Sequence, residues 1–171
     1  MRGDPGILPS MGIKFVAFDF ETANYQSDSA CSIGLVRVEG TRIVRKEHHL
    51  IRPPYRNFAF SYIHGLSWND VADASDFGEL WPEIKDFFDG VDFVAAHNVG
   101  FDRRVLLACC ERYKIEPPKT EFVCTVQLAR QKWNIRPTKL PDVCGYLKIK
   151  LTHHHALSDA EACAKILLAA R

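Results

Sequence analysis

The chain has 171 residues, 47% apolar and 25% charged, with a formal net charge of +1. That balance fits one globular domain with one sizeable core, and it argues against a protein that coats long nucleic acid by neutralising phosphates. No apolar run approaches the roughly 20 residues of a membrane span, and the N-terminus lacks the layout of a secretory signal.

Met1 to Ser10 carries Gly, Pro and Asp without periodicity and precedes a second methionine, Met11. It reads as a tag or disordered leader, which leaves 11–171 as the folded domain. Ile13 to Phe20 is a near-continuous apolar run and predicts a central strand covered on both faces. Ser32 to Glu39 and Arg42 to Ile51 predict two further strands, with Glu39-Gly40 marking a tight hairpin. Arg52 to Phe60 contains Pro53-Pro54 and reads as a loop. From Phe77, the residues Leu80, Trp81, Ile84, Phe87 and Phe88 follow a helical period that Asp89-Gly90 ends. Pro82 is expected in the first turn of that helix, where a missing N–H costs nothing. Val91 to Ala96 reads as a short buried strand, Gly100 to Tyr113 as a helix, and Glu121 to Cys124 as the last strand. Helices follow over Thr125 to Lys132, Leu140 to Leu147 and Ala156 to Ala170. Hairpin connections first and helical ones later predict a mixed sheet.

Six cysteines, at 31, 109, 110, 124, 144 and 163, form no CxxC pair, which argues against a zinc knuckle or a disulfide framework. Such usage fits a reducing cytoplasm, and a cytoplasmic location is expected.

Four acids stand on faces that should be apolar. Alternation puts Asp19 and Glu21 on one side of their strand with Ile13, Phe15 and Ala17. They close the strand at its C-terminal edge, where open α/β sheets bind ligands. Asp102 shares a helix face with Val105, Leu106, Cys109 and Tyr113, and Asp159 shares one with Ala162, Cys163, Ile166 and Ala170. Either residue alone would ordinarily be an N-cap. Taken together, four converging carboxylates would repel each other by roughly several kcal/mol unless cations intervene. An oxygen-only ligand set suits Mg²⁺ or Mn²⁺, and two such ions about 4 Å apart can clamp the attacking and leaving oxygens of a phosphodiester. His153, His154 and His155 lie just upstream of Asp159, and a neutral imidazole there could take a proton from the attacking water near pH 7. His48-His49, with no acids around them, read as solvated.

These residues spell a known pattern. Asp19-Phe20-Glu21-Thr22, His97-Asn98-Val99-Gly100-Phe101-Asp102 and His154-His155-Ala156-Leu157-Ser158-Asp159 resemble the three motifs of the DEDDh 3′→5′ exonucleases, a family that includes the proofreading epsilon subunit of bacterial DNA polymerase III. The resemblance runs from about Ile13 to Arg171. Weaker echoes are Ser32-Ile33-Gly34 and His64-Gly65-Leu66-Ser67. The resemblance implies a ribonuclease-H-like α/β fold, a five-stranded mixed sheet flanked by helices with its second strand antiparallel. It implies hydrolysis of DNA from a free 3′ end, releasing nucleoside 5′-monophosphates, with two divalent cations held by Asp19, Glu21, Asp102 and Asp159. The family spacing selects His154, five residues before Asp159, as the base and leaves His155 a spectator. Since His155 stands where a sister subgroup has Tyr, that subgroup is excluded. The match also suggests that Thr22 approaches the 3′-terminal nucleotide through its backbone, and that His64 and Phe101 flank the terminal bases. The implied partners are a single-stranded or frayed 3′ end and a DNA polymerase. The rival readings are an RNA-trimming enzyme of the same fold, a catalytically silent nucleic-acid-binding subunit, and a zinc protein, for which the His and Cys spacing is poor.

Overall fold

The computed structural model describes residues 12–171, so the expected leader over 1–10 lies outside the described residues. Five strands, β1 (Lys14–Thr22), β2 (Ala30–Glu39), β3 (Arg42–Leu50), β4 (Phe93–Ala96) and β5 (Glu121–Cys124), form one sheet in the order β3-β2-β1-β4-β5. β2 runs antiparallel to both β1 and β3, while β4 and β5 continue the sheet parallel to β1. The mixed sheet expected from the connections is therefore present. The β2–β3 turn is Gly40-Thr41, with Glu39 paired to Arg42 and Gly40 at φ +60°, a conformation glycine adopts at little cost. β3 is an edge strand studded with Arg42, Arg45, Lys46 and Glu47, charges that discourage pairing with another chain.

Alternation along β1 divides the core. Val16, Phe18 and Phe20 pack with Phe77, Leu80 and Ile84 of α3 (Phe77–Ile84) and with Val105, Leu106 and Cys109 of α4 (Val99–Arg112). Ile13, Phe15 and Ala17 face Ala160, Cys163, Ala164 and Leu167 of α7 (Ala156–Ala169) on the opposite side. α7 is in turn covered by α5 (Thr125–Trp133) and α6 (Leu140–Leu147), whose Ala129, Leu140 and Val143 meet Ala162 and Ile166. Two short helices absent from the sequence reading, α1 (Ser61–His64) and α2 (Trp68–Val71), follow the loop after β3. At four residues each they present no helical period to read.

Two local expectations need correction. Pro82 is the sixth residue of α3, beyond its first turn. The helix tolerates it because it ends two residues later, at Ile84, and tightens into a 3-10 turn over Lys85–Phe88. Its start is secured by a capping box: the Glu79 amide donates to Asp76 Oδ1, and the Asp76 amide donates to Glu79 Oε2, each at 2.9 Å. β4 begins at Phe93 rather than Val91, because only Phe93–Ala96 keep pairing with β5.

One glycine decides where α7 sits. Gly34 of β2 pairs with Asp19 of β1, and a Cβ at Gly34 would collide with the backbone of Ala156 and Leu157 in the first turn of α7. Bare backbone at Gly34 lets the start of that helix lie directly on the sheet beside Asp19. Gly34→Ala should therefore destabilise the chain by about 1–3 kcal/mol, the usual cost of overpacking. It should also cut activity out of proportion to the unfolded fraction, because the collision falls at the helix end carrying Asp159. Urea unfolding and activity assays on the same samples check both.

Candidate active site

β1 carries its two acids past the end of its parallel partner. The β1–β4 ladder stops at Ala17 and Ala95, so Asp19 and Glu21 stand in the crevice beyond it, on the α7 side of the sheet. There the Phe20 amide donates to Asp102 Oδ1 at 2.9 Å, replacing the strand partner that β4 no longer supplies. Asp102 is only 1% exposed and is not an N-cap: Asn98, at φ +65°, occupies that position of α4. From the opposite side the first turn of α7 delivers Asp159, 4% exposed. Carboxylate oxygens of Asp19, Glu21 and Asp159 all lie within 4.8 Å of one another. The acids of the first and third motifs thus meet, and Asp102 of the second is buried close enough to raise the Asp19 pKa.

The electrostatics are those of a cluster lacking countercharge. Burial, and then the neighbouring charges of Asp102, Asp159 and Glu21, push the Asp19 carboxyl well above the usual carboxylate range. Burial and the Asp159 charge raise Glu21 to about 7. Burial raises Asp102 to about 8, against the lowering effect of the Phe20 amide. Asp159 is raised by burial, with His153 opposing. Its Oδ2 accepts from His153 Nδ1 at 2.9 Å and from the His154 amide at 3.2 Å. Its Oδ1 is buried with no partner, the one such side-chain atom among the described residues. An orphaned carboxylate oxygen facing other carboxylates is what a cation ligand looks like before the ion is added. The donor set is all oxygen, so these residues fit Mg²⁺ or Mn²⁺.

A cleft of about 320 Å³ opens over the acids, lined by Asp19, Glu21, Thr22, Phe60, Ile63, His64, Phe101, His153, His154 and Asp159. Each remaining residue singled out in the sequence lies on it: Thr22, His64, Phe101 and His154. His64 lines the cleft and is also held from behind by the backbone. Its Nε2 donates to the Thr22 carbonyl at 3.0 Å and its Nδ1 accepts from the Leu66 amide at 3.1 Å. Both ring nitrogens are thereby spent on backbone, and burial lowers its pKa, so it is a neutral brace of the cleft wall. Phe101 faces the cleft and also packs on the main core. Burial and the neighbouring His153 lower the His154 pKa below 6.5, leaving that imidazole neutral at pH 7. His155 points elsewhere, its ring 4.7 Å from that of His48. It borders a larger groove of about 720 Å³, with Lys150, Ser158, Glu161 and Lys165, that holds none of the four acids.

Three groups escaped the sequence reading. Phe60 and Ile63 reach the cleft only through the fold of the β3–α1 connection, and nothing in their spacing announces it. His97 lies within the second motif and was given no role of its own. Its ring nitrogens meet Thr125 Oγ1 at 2.8 Å and the Thr138 carbonyl at 2.9 Å, which ties the end of β4 to the start of α5 and to the loop before α6. Thiol chemistry has no foothold here. Burial raises Cys31 and Cys163 far above the usual thiol range, and lifts Cys109 to about 12 and Cys110 and Cys144 to about 11.

Known proteins share this arrangement. The exonuclease family model RNase_T matches residues 16–167. A PolC-type DNA polymerase III of Thermotoga maritima is 30% identical over 158 residues, covering 90% of this chain and 12% of that protein. The epsilon subunit of Escherichia coli DNA polymerase III is 29% identical, covering 86% of this chain and 64% of the subunit. The chain thus spans from about an eighth to just under two thirds of these relatives. Among solved structures, exonuclease X in complex with 5′ overhanging duplex DNA superposes with a TM-score of 0.73 at 26% identity, covering 92% of this chain and 90% of that one. The nuclease domain of 3′hExo, a DEDDh family member bound to rAMP, shares the fold with a TM-score of 0.80 at 16% identity, covering 95% and 93%. The match over residues 16–167, on a five-stranded sheet whose end gathers these acids, makes this chain a member of the RNase_T exonuclease family.

Proposed function

We propose that this chain removes nucleotides from the 3′ end of DNA, using Asp19, Glu21, Asp102 and Asp159 to hold two divalent cations and His154 as general base. The observation that carries this reading is the approach of three carboxylates within 4.8 Å around a buried, unpartnered oxygen of Asp159. Mg²⁺ or Mn²⁺ bound there would supply Lewis-acid and charge-neutralising chemistry at the scissile phosphodiester.

The remaining steps belong to the protein's own groups. His154, neutral at pH 7, accepts a proton from the attacking water. The water oxygen bonds to phosphorus, the bond from phosphorus to the 3′-oxygen of the preceding nucleotide breaks, and the terminal residue departs as a 5′-monophosphate. Phe60, Ile63 and Phe101 offer apolar surface on which any base can stack, which suits an enzyme indifferent to sequence. The Thr22 backbone, fixed by His64, shapes the wall beside the terminal nucleotide. DNA as substrate is supported by the replicative relatives and by the DNA complex of exonuclease X. The same relatives support a DNA polymerase as partner. No helix of the described residues is long and apolar enough to cross a membrane, and six free cysteines suit a reducing, cytoplasmic setting.

Three outcomes are expected. Digestion of 5′- and 3′-end-labelled DNA and RNA oligomers should release mononucleotides from the 3′ end, faster from DNA, and should stop in EDTA. Rapid loss from RNA alone would reassign the substrate.

Asp102→Ala should fall to background and His154→Ala should lose roughly 10²- to 10⁴-fold in turnover, while His155→Ala stays near wild type. A dead His155→Ala with a healthy His154→Ala would reverse the assignment of the base.

In ion-free protein the raised carboxyls also make stability depend on pH. Their folded-state values, about 7 for Glu21 and about 8 for Asp102, lie above the ordinary 4.5 and 3.8. The folded state therefore keeps protons that the unfolded chain has released, and stability falls as pH rises from about 4 to about 8. Mn²⁺ should restore it most at the alkaline end. Melting temperatures across that range in EDTA and in Mn²⁺ check this; a flat EDTA profile would mean the acids are not desolvated and crowded together in the folded chain.

A further inference from the structure

Asp159 belongs to two ligand sets. One is the all-oxygen set with Asp19 and Glu21. The other joins it to His153 and His154, whose ring nitrogens and the Asp159 carboxylate again lie within 4.8 Å of one another. We propose that His153, His154 and Asp159 form a second metal site, which takes Zn²⁺ in preference to Mg²⁺ or Mn²⁺ and through which Zn²⁺ switches the enzyme off by capping His154.

Backbone geometry builds the histidine pair. Successive side chains of an extended segment point to opposite sides, which would separate two adjacent imidazoles. His154 instead takes a left-handed conformation, φ +65°, and the rings of His153 and His154 stack at a centroid distance of 3.7 Å. Both rings are exposed, so an ion can reach them from solvent, while the carboxylate they meet is buried. His153 Nδ1 already sits 2.9 Å from Asp159 Oδ2. Ligands on a tetrahedral Zn²⁺ with bonds of roughly 2.1 Å stand about 3.4 Å apart, a separation these side chains reach by turning the two exposed rings out of their stack. Two imidazoles and one carboxylate, with a fourth position open to water, are a recurrent Zn²⁺ set. Mg²⁺ and Mn²⁺ bind imidazole far less well and stay with the oxygens.

The two sets share Asp159, whose Oδ2 meets the histidines while its Oδ1 is left without a partner. An ion held by His154 would occupy the lone pair that accepts a proton from water, and this alone stops the reaction. The loss of activity rests on the exonuclease reading; the binding does not.

Equilibrium dialysis of Zn²⁺ against the full chain in excess Mg²⁺ is the first test. One Zn²⁺ per chain is expected, with affinity reduced roughly 10- to 100-fold or more in His153→Ala. His48→Ala and His155→Ala, the other close imidazole pair, should bind as wild type. Co²⁺ in place of Zn²⁺ should give visible d–d absorption that His153→Ala loses. In DNA digestion with Mg²⁺, half-inhibition of His153→Ala should need at least about tenfold more Zn²⁺ than wild type, each measured against its own Zn²⁺-free rate. Equal Zn²⁺ affinity in wild type and His153→Ala, or loss of binding in His48→Ala or His155→Ala instead, would overturn the proposal. The dialysis and spectra judge the site, and the Zn²⁺-free digestion judges the exonuclease reading, so the two can fail separately.

Discussion

The structure turns on the mutual repulsion of carboxylates gathered where water is scarce. Asp102 and Asp159 are almost wholly buried, and Asp19 and Glu21 half so, yet among the described residues no Lys or Arg side chain makes a salt bridge to any of the four. A fold does not assemble such a cluster for stability, since burial raises the carboxyl pKa of every member and so opposes its ionisation. Divalent cations would convert that liability into a binding site, because the charge that repels the acids from each other is the charge that attracts the ion. The cost of gathering them is met by packing elsewhere: two apolar layers on either face of β1 and a last helix buried on both its sides.

Precision in the cluster comes from residues that are not themselves acidic. Gly34 sets the height of α7 over the sheet, and with it the position of Asp159. The Phe20 amide fixes Asp102 against β1. His64 and His97 each commit both ring nitrogens, the first to the cleft wall and the second to the junction of β4, α5 and the loop before α6. Each of these contacts satisfies a polar group left over where a regular element ends, and each thereby restrains a wall of the site.

Much of the architecture was legible because burial leaves a periodic mark. The apolar run after Ile13, the helical stripe beneath Asp102 and the stripe beneath Asp159 are visible in order, and β5 and α6 fall at the expected residues. The four acids stood out because each interrupts such a stripe. Elements too short to show a period were missed: α1 and α2 hold four residues each, and the Phe60 and Ile63 that the start of α1 brings to the cleft look like any loop hydrophobics. Pro82 was misplaced within its helix because a stripe gives phase but not the starting residue, which the Asp76–Glu79 capping box determines.

By itself, then, the sequence determined which side chains are candidates for the chemistry, since strand and helix periods assign each residue a face regardless of what it faces. Which surfaces meet was decided only by the tertiary structure. His153, His154 and His155 are neighbours with equal intrinsic chemistry. A left-handed turn at His154 sends the first two to Asp159 and the third toward His48, a choice made by the docking of α7 on Gly34 and β1. The same docking raises Glu21 to about 7 and leaves an Asp159 oxygen without a partner, because desolvation and repulsion depend on distances between segments that local sequence does not encode.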